Sequence, residues 1–100
     1  MLRHGSSGVR GVPLVRSTQL GRYAVTVLHV APGGVVGRHP APLDQLLAVV
    51  AGSGWVEGPE GGRQVVRAGQ AVVLDAGEEH AAGSDEGLTA LVVEADDLDG

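Results

Sequence analysis

The stretch Gly37–Gly54 reads GRHPAPLDQLLAVVAGSG. After Gly37 and Arg38 it reaches His39, passes Pro40, Pro42, Asp44 and Gln45, and then becomes wholly apolar until Gly52. The two prolines fix φ and remove backbone donors, and a residue before a proline is held extended. The reading is therefore a strand that ends at His39, a rigid connection, and a second strand over Gln45–Ala51 that the GSG at Gly52–Gly54 breaks. That second strand is apolar on both alternating faces: Leu46, Ala48 and Val50 on one, Leu47 and Val49 on the other. A strand apolar on both faces is covered on both. In a chain of 100 residues the second cover falls to a partner subunit. The expectation is a homodimer that buries an outer sheet face or exchanges N-terminal strand residues.

The same pattern continues outward. In RYAVTVLHVA, Tyr23, Val25, Val27 and His29 alternate with Ala24, Thr26, Leu28 and Val30, the period of a strand. The PGG at Pro32–Gly34 predicts a turn, and PEGG at Pro59–Gly62 a tight one. RQVVRAG, QAVVLDAG, EHAAG and LTALVVEA read as four more short strands. No segment combines helix caps with a 3.6-residue period, and no internal repeat is visible. Residues 1–20 are expected to be a loosely ordered N-terminal segment, open to exchange between the copies of a dimer. Residues 21–95 are expected to form the barrel, and 96–100 an acidic tail.

Composition supports this class. The chain holds 17 glycines, 5 prolines and, counted along the sequence, 17 valines. Valine is β-branched and suits a pleated surface, and the glycines suit frequent turns. Tyr23 and Trp55 are the only aromatic residues. The formal charge is −5 with no basic run, which argues against nucleic acid and against anionic membrane surfaces as partners. With no cysteine there is no disulfide scaffold and no thiolate ligand. No apolar stretch nears the ~20 residues of a membrane helix, and the first residues carry no apolar signal core. A cytoplasmic protein is expected. The absence of Lys, Ile, Asn and Phe, residues with AT-rich codons, points to a GC-rich bacterial source.

Two spacings carry a resemblance. Gly33, His39, Gln45 and Gly52 fall where the first cupin motif, G-x5-H-x-H-x3-E-x6-G, has its first glycine, first histidine, glutamate and last glycine. Gly69, Gly77 and His80 fall on the second, G-x5-P-x-G-x2-H-x3-N. From about Tyr23 to Glu94 the chain resembles a small single-domain cupin. The resemblance implies an all-β, antiparallel jelly-roll barrel with a site inside. In metal-binding members three histidines and a glutamate hold the ion. Here Ala41 replaces the second histidine, Gln45 the glutamate, Asp75 the proline and Ser84 the asparagine.

Carried over residue by residue, the metal candidates are His39, Gln45 and His80. Imidazole nitrogens suit Zn, Ni, Fe, Mn or Cu, whereas an amide oxygen is neutral and a weaker donor than a carboxylate. Asp44 serves only if the strand begins after it, and Glu78 or Glu79 are further sources of a carboxylate at the barrel mouth. His29 reads as a wall or core residue and His4 as solvent-exposed. Trp55 and Tyr23 read as pocket walls or core filling. The GPEGG turn lacks the Lys-Ser/Thr and the following helix of a phosphate loop. No general acid or base stands out. The functional expectation is a cupin of unresolved activity that binds a divalent transition metal or a small-molecule ligand or substrate inside the barrel, including the case of a metal-dependent enzyme. The alternative is a metal-free, non-catalytic binding or sensor module.

Overall fold

The computed structural model describes residues 7–18 and 21–95. Seven strands follow one another: β1 (Ser7–Thr18), β2 (Gly21–Pro40), β3 (Asp44–Glu57), β4 (Arg63–Arg67), β5 (Ala71–Leu74), β6 (Glu79–Gly83) and β7 (Leu88–Ala95). Every pairing between them is antiparallel. The all-β jelly roll expected from the sequence is the architecture that forms.

Two long strands organise it. The first part of β2 lies between β1 and β7, and its last part pairs with β6. Likewise the first part of β3 lies between β5 and β7, and its last part pairs with β4 and β6. One layer therefore runs β1-β2-β7-β3-β5 and the other β2-β6-β3-β4, with β2 and β3 turning the corner between them. Strands that switch sheets in this way bend or bulge where they cross. The sequence reading placed a turn at Pro32–Gly34 and a break at Gly52–Gly54. Both are corrected: the chain bends there without leaving its strand. Gly33 and Gly52 take φ of 81° and 79°, a region glycine enters without steric cost. At Gly52 a side chain would also collide with the Gly87 carbonyl oxygen.

The N-terminal reading changes too. Residues 1–20 were expected to be loosely ordered, yet Ser7–Thr18 pairs with β2 from Val35 down to Gly21. The Gly/Ser/Arg-rich composition carries no plain alternation that would mark this strand, which forms as an edge paired with β2 alone. Residues 1–6, 19–20 and the expected acidic tail 96–100 lie outside the described residues.

Residues directly opposed in an antiparallel ladder share a face, so the register sorts each strand. Leu28, Leu47, Val49 and Ala90 are buried between the layers, together with Val36, Val56 and Ala82 of the second layer. The outer face of the first layer is apolar as well. Val73, Leu46, Val93 and Val25 form one row across four strands, and Ala71, Ala48, Leu91, Val27 and Val12 form the next across five. Val50 is 60% exposed and Val73 47%. The doubly apolar character read at Gln45–Ala51 thus extends across the middle rows of the layer. Trp55 is neither core nor wall of the cavity described below. It lies on the outside of the second layer over Gly83, with the Arg63 guanidinium 3.7 Å above its ring.

Candidate functional site

A cavity of about 390 Å³ opens between the layers, lined by Leu28, Val36, Leu47, Leu74 and Val92 and by the polar side chains of His39, His80, Gln45 and Glu94. The two histidines reach it from neighbouring strands. They are register partners, His39 on β2 and His80 on β6. Their ring centroids stand 5.0 Å apart with planes tilted by 59°. Val36 already faces inward opposite Ala82, and plain alternation would then send His39 outward. An irregularity in the ladder between Val36 and His39 adds the residue that turns His39 back to the inside, as a β-bulge does. Arg38 consequently faces out, where it bonds Glu57 at 3.1 Å and Glu79 at 3.2 Å.

The two rings are held differently. The His39 Nδ1–H donates to the Gly37 carbonyl at 2.7 Å. In the neutral ring this leaves the lone pair on Nε2. His80 is only 4% exposed, and its Nδ1 has no hydrogen-bond partner. Burial holds the His80 imidazole below its usual range because the charged ring is poorly solvated there, and His39 beside it adds to the effect. Both act against the Glu78 backbone, which favours the charged ring. At neutral pH His80 is an uncharged imidazole with one donor and one acceptor nitrogen.

Gln45 and Glu94 form the opposite side. They are register partners on β3 and β7, and the Gln45 Nε2–H donates to Glu94 Oε2 at 3.1 Å. Glu94 is the site residue that sequence reasoning missed. The signal was present in LTALVVEA, where Leu88, Ala90 and Val92 set an inward row that Glu94 continues. The carboxylates considered instead are elsewhere. Asp44 begins β3 and accepts the Ala76 N–H at 2.8 Å. Glu79 pairs with Arg38, and Glu78 is exposed. His29 bonds Thr89 Oγ1 at 3.2 Å, on an open groove apart from this cavity, and Tyr23 does not line the cavity.

The donor set does not fit an ion held in the four-ligand manner. Ala41, at the position of the missing histidine, is 3% exposed and packs as a small apolar residue. The Gln45 side chain is neutral and its amide nitrogen is turned to Glu94. Among the described residues no three His, Cys, Asp or Glu side chains form a group that could hold a metal ion. The other departure from the second motif is structural. Ser84, 1% exposed, donates its hydroxyl to the Ser53 carbonyl and accepts the Gly87 N–H at 2.7 Å. It thereby pins the turn before β7 to the bend of β3.

Among the described residues no helix is long and apolar enough to cross a membrane. A comparison with curated proteins finds no match. Solved structures are similar across almost the whole chain. A cupin-like protein from Thermotoga maritima is 20% identical with a TM-score of 0.84, over 91% of this chain and 71% of that one. A predicted oxalate decarboxylase from the same organism is 23% identical at 0.79, over 92% and 84%. The polyketide cyclase RemF from Streptomyces resistomycificus is 24% identical at 0.79, over 93% and 68%. Such different named activities on one scaffold show that the fold alone leaves the activity open. The cupin-domain family model matches residues 26–94, from the inward row of β2 to Glu94 itself. With that match and the two-layered barrel around His39 and His80, the chain belongs to the cupin family.

Proposed function

We propose that this cupin binds a small organic molecule in the cavity between its layers, with His39, Gln45 and His80 holding the polar end of the ligand. The observation that carries the reading is the buried Nδ1 of His80, without a partner on a residue that lines the cavity. A buried polar atom left unpaired costs about 1–3 kcal/mol. A concave, mostly apolar space with a few convergent polar groups is the usual form of a small-molecule site. The apolar walls exclude water from the ligand's body, and the imidazole nitrogens can hydrogen-bond its polar head. A divalent ion bridging His39 and His80 is the competing occupant. Their convergence on opposed strands favours it, while the neutral Gln45 and the buried Ala41 weigh against it.

Metal analysis of the purified protein, combined with a small-molecule screen read by methyl NMR, separates the two. Bound ligands should shift the methyl signals of Leu47 and Val92 and raise the unfolding midpoint. At a ligand concentration of 100 times Kd the added stability is about 2.7 kcal/mol. Replacing His39 and His80 together by Ala should weaken ligand binding at least tenfold while the circular dichroism spectrum stays that of a β protein. A stoichiometric divalent ion that is lost in the double variant would instead make the ion the occupant.

A further inference from the structure

The acid that the first motif lacks at Gln45 is present one strand away. Glu94 stands directly opposite Gln45 in the β3–β7 ladder and on the same inward face. The two side chains are joined by the 3.1 Å bond from the Gln45 amide to Glu94 Oε2. Glu94 is the only acid lining the cavity among the described residues, and no arginine lines it. The chain contains no lysine at all. Among the described side chains, therefore, the cavity holds the Glu94 carboxylate and no arginine or lysine to balance it. Neutral donors such as the Gln45 amide satisfy part of a carboxylate but leave its charge, which a desolvated site exposes to any incoming cation.

We infer that the cavity selects small organic cations, primary or secondary amines with an apolar body, and that Glu94 determines this specificity. The inference rests on the cavity being a ligand site, as proposed above. A protonated amine carries two or three N–H donors. Acceptors that line the cavity include the Glu94 carboxylate and the Gln45 carbonyl oxygen. Charge-assisted hydrogen bonds of this kind are about twice as strong as neutral ones. The walls Leu28, Leu47 and Val92 take the apolar body. The net charge of −5 raises the local concentration of cations and repels anionic competitors.

The test uses three probes of one shape: benzylamine, benzyl alcohol and benzoate. Each is titrated at pH 8, where the amine is protonated, into chelator-treated wild-type protein and into Glu94→Gln, with the Leu47 and Val92 methyls observed. Wild type should bind benzylamine at least tenfold more tightly than benzoate. Glu94→Gln should lose at least tenfold for the amine and less than threefold for the alcohol, with an unchanged circular dichroism spectrum. The proposal is overturned if benzoate binds as well as the amine or if Glu94→Gln leaves amine affinity unchanged. If the alcohol still binds in that case, the ligand site stands and only its cation selectivity falls. If none of the probes shifts the methyls, both readings fall together. If zinc ions bind with Glu94 dependence in place of the amine, the occupant is an inorganic cation and the proposal is likewise overturned.

Discussion

His80 joins three properties in one side chain: burial, a ring nitrogen without a partner, and a neighbouring imidazole. Together they favour the neutral ring in the folded state, so its pKa lies below the value of about 6.5 that it has in the unfolded chain. Between those two values the unfolded chain binds more protons than the folded one, and stability rises with pH. Above about 6.5 both states are neutral and this contribution is complete. As pH falls below that value, the contribution is progressively lost. The urea midpoint should therefore be flat from pH 8 to 7 and fall from about pH 6.5 downward. His80→Gln should remove most of the fall above the range where carboxylates titrate. A midpoint that falls equally in wild type and variant would assign the pH dependence elsewhere.

At the scale of elements, the barrel depends on β2 and β3 bending without breaking. The two bends are chemically alike but sit in different surroundings. A Cβ at Gly33 would meet nothing within 4 Å, whereas at Gly52 it would collide with the Gly87 carbonyl. Gly61, in the β3–β4 turn, has a φ of 86° and open space around it. Gly61→Ala should therefore cost only the left-handed backbone term, about 1–2 kcal/mol. Gly52→Ala should cost that and an overpacking term of about 1–3 kcal/mol more. Urea unfolding of both variants measures the difference. Equal losses would mean that the Gly52 bend yields and that its contact with the β6–β7 turn at Gly87 is soft.

The whole molecule leaves one large surface to explain. Two outer rows of the first layer, from Val73 through Leu46 and Val93 to Val25 and from Ala71 to Val12, hold no charge, and the rows flanking them carry Asp44 on one side and Arg10 on the other. Contiguous apolar surface of this kind marks an interaction site. We propose that a second copy covers it in an isologous dimer, the commonest arrangement for a self-complementary face. Sedimentation at roughly 50 µM, well above the dissociation constants of stable dimers, should give the mass of two chains. Val73→Glu, which places a charge from each copy in the contact, should give one chain without loss of β structure. A wild-type monomer at that concentration would leave the face without this partner.

What the sequence determines by itself is local. Period-2 alternation in RYAVTVLHVA and LTALVVEA fixes which side chains share a face, because a strand's side-chain direction follows from its own backbone. The motif spacings single out His39, Gln45 and His80, and in the structure all three line one cavity. The tertiary structure decided the rest. Local alternation from Val36 would have sent His39 outward, and only the irregular register against β6 turns it in. Glu94 reads as one more acid near an acidic end until β7 pairs with β3 and sets it opposite Gln45. The bends at Gly33 and Gly52 read as chain breaks until both halves of each strand find partners. Register between strands distant in the chain is chosen by the packing of the whole barrel, so no stretch of neighbouring residues contains it.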